Sequence, residues 1–197
     1  MEFINLSKEM PLMLFKEKYD SAICSNQRNI EAMIISSFNK EKDEVDSRYV
    51  NLKFVDGNNF IFFTNYDSPK SIAFNSNSQI SALFYWPAIN IQIRIKAKIK
   101  RTSYDYNDEY FRTRCINKNA LAISSNQSKI IASYSEVLKK YQDIQKSKNL
   151  SKCPKYWGGY SFTAYEIEFW EGSEFRLNKR NLYKKNKASW DHFILEP

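Results

Sequence analysis

A mostly β domain with helices at its edges is the fold class the sequence predicts, and three observations predict it. Residues 30–104 form a succession of short apolar runs separated by turn signals. Within them, Ile91, Ile93, Ile95, Ala97 and Ile99 alternate with Gln92, Arg94, Lys96, Lys98 and Lys100. That period of two describes a strand with one core face and one wet face, as a barrel strand has. Helical spacing is confined to the segments around this run, with no repeat, low-complexity region or linker to divide the chain. At 197 residues, and about 150 residues per domain, the chain is expected to be one domain spanning 1–197.

The elements follow in order. An N-terminal helix is expected over about 10–24, because Pro11 suits a first helical turn and Leu12, Phe15, Tyr19 and Ile23 recur at helical spacing. Asn26 and Asn29 break the chain before an apolar strand at 30–38, and the charged segment 39–46 reads as a connection. A strand at 48–55, the hairpin signal Asp56-Gly57 and a returning strand at 60–64 come next. Residues 67–77 read as a short helix, 80–85 as a strand, and the alternating run follows. A helix at 105–113 carries Tyr106, Tyr110 and Phe111, and Ser133-x-x-Glu136 is a capping box that opens another. A lysine-rich loop at 146–155 leads through Trp157-Gly158-Gly159 into a long strand at 160–170. After a turn at 171–173, strands at 176–182, 183–187 and 190–195 complete the sheet.

Composition excludes several functions. The single histidine, His192, rules out a two-histidine zinc site and the H-E-x-x-H arrangement. Four glycines, at 57, 158, 159 and 172, cannot supply G-x-G-x-x-G or a P-loop, so a bound nucleotide must be held by side chains and ordinary backbone. Cys24, Cys115 and Cys153 are odd in number and lack C-x-x-C spacing, which argues against a disulfide framework and dithiol chemistry. With no apolar stretch long enough to span a bilayer and no signal-peptide pattern at the start, a cytoplasmic protein without a membrane partner is expected. The net charge of +8 can attract nucleic acid, an acidic membrane face or phosphorylated small molecules, while most of the lysines are expected on a solvated face. The basic residues form no dense run, so nucleic acid is not expected as a partner.

Several polar groups have the spacing of a ligand site, although each has a plainer reading. Arg48 and Lys53, five apart on one strand, are expected to point to opposite faces and also read as exposed cations. Tyr110 and Arg114 share a helix face; they suit a phosphate clamp, or an ordinary surface pair. Arg176, Lys179 and Arg180 follow a turn and fit either a ligand or a solvated hairpin. Trp157 and Trp170 bracket a strand, as core filler or as a wall for a planar aromatic ligand.

In their order along the chain, these segments resemble the pyridoxamine 5'-phosphate oxidase family. The pieces are SRYVNLK (47–53), FFTNYDSPK (62–70), Gln92, YFRTR (110–114), NQS (126–128), WGGY (157–160), IEFWEGSEFRLNKR (167–180) and the terminal ILEP. The resemblance implies an antiparallel split β-barrel with peripheral helices, and a homodimer with FMN at the subunit interface. It implies that FMN contacts fall to Arg48, Tyr49, Val50, Asn51, Phe63, Thr64, Lys70, Gln92, Gln127, Ser128, Trp170 and Arg180. Substrate contacts fall to Lys53, Tyr110, Arg114, Lys118, Arg176 and Asn178, the last two in the catalytic positions. The implied reaction oxidises pyridoxamine or pyridoxine 5'-phosphate to pyridoxal 5'-phosphate, with molecular oxygen reduced to hydrogen peroxide.

Three positions depart from the family pattern. Pro69 stands where an arginine usually precedes the phosphate-binding lysine, and Lys118 stands where a serine completes the substrate-phosphate site. Asn178 replaces the histidine of an R-L-H motif, and an amide cannot change charge near neutral pH. A split-barrel flavin oxidoreductase with another small substrate, or a non-catalytic flavin- or pyridoxal-phosphate-binding protein, therefore stand as alternatives.

Overall fold

The computed structural model describes residues 1–146 and 149–197. In chain order the strands are β1 (Glu2–Ile4), β2 (Ala32–Asn39), β3 (Glu44–Asp56), β4 (Asn59–Asn65), β5 (Gln79–Trp86), β6 (Ile91–Arg101), β7 (Trp157–Glu171), β8 (Lys179–Asn186) and β9 (Ser189–Ile194). The helices are α1 (Met10–Cys24), α2 (Pro69–Ser76), α3 (Tyr104–Thr113), α4 (Ile116–Ser124) and α5 (Tyr134–Gln145). Strands β3, β2, β5, β6 and β7 are neighbours in that order, and β4 pairs with both β7 and β3. Those pairings close an antiparallel barrel and remove its edges. Strands β8 and β9 continue the sheet beyond β7, and β1 adds to β3 in parallel. The expected split barrel is what forms.

The alternation on β6 explains its place in the wall. Ile91, Ile93, Ile95, Ala97 and Ile99 are all buried, while Arg94, Lys96, Lys98 and Lys100 are exposed. Phe60, Phe62, Phe84, Trp86, Phe162 and Phe169 fill the same interior. Helix α1 docks on this core through Leu12, Phe15 and Ala22; Ile23, expected on that stripe, is exposed instead. Phe15 meets Phe60 edge-on, with ring centroids 5.3 Å apart.

Several elements differ from expectation for local reasons. β2 and β3 stay in register out to the pair Asn39–Glu44, so the charged connection contracts to a turn at 40–43. β1 and α4 were not anticipated. Three residues show no periodicity, and α4 begins at Cys115 without a side-chain cap. Arg176 lies on no strand: Glu174–Arg176 form a 3-10 turn, and β8 then runs unbroken from Lys179 to Asn186. Ser133 does cap α5, accepting from the Glu136 N–H at 3.3 Å. The loop expected at 146–155 includes residues 147–148, which lie outside the described residues. Among the described residues no helix is long and apolar enough to cross a membrane.

Candidate active site

A cavity of about 870 Å³ lies where β3, β4, the first turn of α2 and the helix pair α3–α4 converge. Thirteen of the expected site residues line it: Arg48, Tyr49, Val50, Asn51, Lys53, Phe63, Thr64, Lys70, Tyr110, Arg114, Lys118, Gln127 and Ser128. Arg48 and Lys53 were expected on opposite faces, yet both reach this one space. The β3–β4 register shifts between Leu52 and Phe54, so strict alternation fails at Lys53.

The Trp157-Gly158-Gly159 turn sets the position of α3. A Cβ on Gly158 would stand 2.2 Å from the Tyr66 hydroxyl oxygen and 2.4 Å from Asn107 Nδ2. Only glycine lets α3 approach β7 this closely. Asn107, buried on α3, accepts the Gly159 N–H at 2.8 Å and donates to the Tyr66 hydroxyl at 3.0 Å. With α3 fixed, Tyr110 stacks on Phe63 at 3.9 Å and Arg114, the residue that ends the helix, lies 4.3 Å over the Trp157 ring. Phe63 and Trp157 stack in turn at 5.3 Å, completing one aromatic wall. Opposite chain segments are tied by Gln127, whose Oε1 accepts from the Thr64 hydroxyl at 3.2 Å and the Asn65 N–H at 3.3 Å.

The cations in this cavity fall into two groups. Arg48 is paired with Asp46, and Lys53 with Glu31. Among the described residues, no carboxylate pairs with Lys70 or Arg114. Lys70 is only 6% exposed and donates to the Ser68 hydroxyl at 3.2 Å. Burial first, then the nearby Arg48 charge, lower its ammonium to about 8, with Asp46 opposing. Arg114 Nη1 is buried without a hydrogen-bond partner, and burial lowers this guanidinium while Tyr110 opposes. Burial raises the Tyr110 phenol, keeping it a hydroxyl donor at neutral pH. A buried ammonium and a half-buried guanidinium with one unpartnered nitrogen, both without carboxylates, are places where a phosphate satisfies an otherwise costly group. The residues present therefore fit a phosphorylated cofactor and a phosphorylated substrate.

Five expected residues are not brought to this cavity. Gln92, Trp170 and Arg180 form one transverse row across β6, β7 and β8, with Gln92 opposite Trp170 and Trp170 opposite Arg180. Arg176 and Asn178 sit in the β7–β8 connection, where Asn178 Oδ1 accepts the Ser173 N–H at 3.2 Å. Phe175 and Arg176 both have positive φ, 56° and 61°, an uncommon and costly region for such side chains. His192 is exposed on β9, stacked on Tyr183 and bonded to Asn181.

Several residues of the site were not anticipated. Glu31 lies outside the expected motifs, yet holds both Lys53 and the Met1 amine. Trp157 was expected as core filler or as a wall for a planar ligand, but its pairing with Arg114 has no sequence signal because 43 positions separate them. Cys115 also lines the cavity, its thiol lowered by the Asn117 and Lys118 N–H groups at the start of α4.

Comparison with known proteins gives a consistent result. A family model described as pyridoxamine 5'-phosphate oxidase matches residues 22–148. A second, described as the pyridoxine 5'-phosphate oxidase C-terminal dimerisation region, matches residues 157–197. A pyridoxine/pyridoxamine 5'-phosphate oxidase of Legionella pneumophila (strain Lens) is 35% identical over 190 residues, covering 95% of this chain and 87% of its own. One from Nostoc sp. (strain PCC 7120) is 34% identical over 190 residues, covering 95% and 88%. Among solved structures, PhzG from Burkholderia lata 383, in complex with tetrahydrophenazine-1-carboxylic acid, superposes with a TM-score of 0.89 at 23% identity, covering 95% of this chain and 92% of that one. A pyridoxamine 5'-phosphate oxidase-related, FMN binding protein from Nostoc punctiforme PCC 73102 gives 0.78 at 12% identity, covering 93% and 97%.

Proposed function

The chain belongs to the pyridoxamine 5'-phosphate oxidase family, an oxidoreductase family with FMN as cofactor, and from that premise we propose that it oxidises pyridoxamine or pyridoxine 5'-phosphate to pyridoxal 5'-phosphate. The observation that carries this reading is one cavity containing a buried cation, Lys70, and a half-buried one, Arg114, with no carboxylate paired to either among the described residues. In it Lys70 and Arg48 hold the cofactor phosphate, assisted by Thr64, Gln127 and Ser128, while Tyr49 to Asn51 and Phe63 line the rest of the cofactor. Arg114, Tyr110, Lys53 and Lys118 hold the substrate phosphate, the Tyr110 hydroxyl donating and the guanidinium binding two oxygens. FMN held there would supply the acceptor for a hydride from the substrate carbon, with molecular oxygen as the final oxidant and hydrogen peroxide as its product. The protein orients the two rings, excludes water and neutralises two phosphates.

The same reading explains the five residues outside the cavity. In a homodimer, Gln92, Trp170 and Arg180 of a second copy complete the FMN site at the interface. Arg176 and Asn178 of that copy cover the pyridine ring. Support comes from the match to a dimerisation region that contains four of the five. Backbone strain at Arg176 is of the kind that persists where a side chain must be aimed. Asn178 can hydrogen-bond the substrate but cannot exchange a proton with it near neutral pH. Free thiols at Cys24, Cys115 and Cys153 fit a reducing, cytoplasmic setting.

A second reading, a flavin oxidoreductase with a different small substrate, is favoured by Lys118, Asn178 and Pro69. One experiment separates the two. The purified protein is expected to be yellow, and its flavin to bleach when pyridoxamine 5'-phosphate is added without oxygen. A yellow protein that stays oxidised with both pyridoxamine and pyridoxine 5'-phosphates refutes the first reading and leaves the second.

A further inference from the structure

Strand β7 carries Glu166 and Glu168 on one face, between the cations of β6 and β8. Glu168 is 6% exposed. Its Oε2 accepts from Arg94 Nη1 at 2.9 Å. Its Oε1 accepts from Arg180 Nε at 2.9 Å and lies 2.8 Å from Arg180 Nη2. Arg180 Nη1 also donates to the Glu196 carbonyl at 2.9 Å. The guanidinium is thus held on all three nitrogens. Each Nη carries a second N–H, and no group of the chain among the described residues takes these up.

One step further along β7, Glu166 makes a parallel rung with Lys96 at 2.9 Å and Lys184 at 3.7 Å. The two rungs differ in what they can orient. A guanidinium is a planar fork whose direction is set by its partners, whereas an ammonium is a point charge with no preferred plane. The arginine rung is also the one beside the row Gln92–Trp170–Arg180. A long side chain fixed at folding does not lose its rotamer freedom at binding, which is how a positioned cation strengthens association.

We propose that Glu168 is a positioning residue for the cofactor, holding Arg180 in the orientation in which it meets the flavin. This rests on the reading that Arg180 of one copy contacts FMN bound in the cavity of the other. Without the carboxylate charge, Arg94 and Arg180 face each other as like charges, and Arg180 is free to turn away.

The test uses apo protein reconstituted with FMN, followed by flavin fluorescence quenching, thermal melting of the apo form and the midpoint potential of the bound flavin. Glu168→Gln is expected to weaken FMN binding about tenfold, equivalent to about 1.4 kcal/mol. It should also make the potential more negative, because a cation that stabilises the reduced flavin is no longer held. Glu166→Gln is expected to leave both within about twofold of the starting protein. Arg180→Ala reports on the underlying reading. If Arg180→Ala loses FMN affinity and Glu168→Gln does not, the positioning role is wrong. If Arg180→Ala keeps full affinity, the reading of Arg180 is wrong and the proposal falls with it. Equal losses in Glu168→Gln and Glu166→Gln would show the ladder to be structural only, again overturning the proposal. Should Glu168→Gln not fold, Glu168→Asp keeps the charge but withdraws it by one methylene. A loss of about threefold is then expected, and unchanged affinity and potential overturn the proposal.

Discussion

Lys70→Met is expected to stabilise the cofactor-free protein while weakening its hold on FMN. The cause is the burial of an ammonium that no carboxylate pairs with among the described residues. Lowering this group from 10.5 to about 8 corresponds to about 3 kcal/mol against the charged form in the fold. Below pH 8 Lys70 is charged in both folded and unfolded chains, and the whole cost is present. Between about 8 and 10.5 the folded chain has released the proton and the unfolded chain still binds it, so stability rises with pH. Above 10.5 both are neutral and the cost is gone. Methionine fills similar space without charge, so the apo variant should melt about 6–12 °C higher at pH 7. That difference should close as pH rises through this window, with wild type and variant compared at equal concentration by differential scanning calorimetry. FMN affinity, titrated on the same samples, should fall about 10- to 100-fold through loss of a charge-assisted contact. In the wild type that affinity should itself decline as pH rises through about 8. A variant that is less stable at pH 7, or a gap that widens with pH, refutes the reasoning. So does unchanged FMN binding.

Three further outcomes are expected. Arg114→Ala should raise KM for the phosphorylated substrate about 10- to 100-fold and change the FMN dissociation constant less than about threefold; comparable losses in both titrations would show the assignment to be wrong. Gly158→Ala should cost about 1–3 kcal/mol and lower the melting temperature, because its Cβ meets Tyr66 and Asn107 at 2.2 and 2.4 Å; an unchanged melting curve would mean that α3 can retreat freely. Asn178→His should raise kcat if loss of a titrating group at this position limits turnover, and an unchanged pH–rate profile would make the imidazole dispensable here.

The barrel was legible where one face is buried and the other wet. On β6 alternation alone separates the core isoleucines from the exposed lysines. The same rule misled at Lys53, where a register shift between Leu52 and Phe54 carries no sequence mark. α4 was missed because it starts at Cys115, a residue without capping chemistry. The cavity half of the site followed from motif order, since SRYVNLK, FFTNYDSPK and YFRTR fold into neighbouring segments. The other five expected residues were named by the resemblance, and sequence order cannot say that they lie outside this cavity. Glu168 was hidden for a different reason. A glutamate on an alternating strand reads as a wet-face residue, and only the flanking arginines on β6 and β8 explain its burial.

The division of the cations determines where phosphate binding gains most. At Arg48 and Lys53 an incoming phosphate must replace Asp46 or Glu31, so the gain is the difference between two ion pairs. At Lys70 and Arg114 there is no carboxylate to displace among the described residues, and desolvation has already occurred in the fold, almost fully at Lys70 and in part at Arg114. The full charge-assisted interaction is available there. The free protein carries the corresponding penalty as lost stability, relieved when the ligands bind. Each proposed phosphate site therefore joins one group of either kind, Lys70 with Arg48 and Arg114 with Lys53. The unpaired member dominates affinity, while the paired member can release its carboxylate to adjust charge and position. Removing Lys70 or Arg114 should then cost more than removing Arg48 or Lys53 at the same site, an order that counting charges around the cavity does not predict.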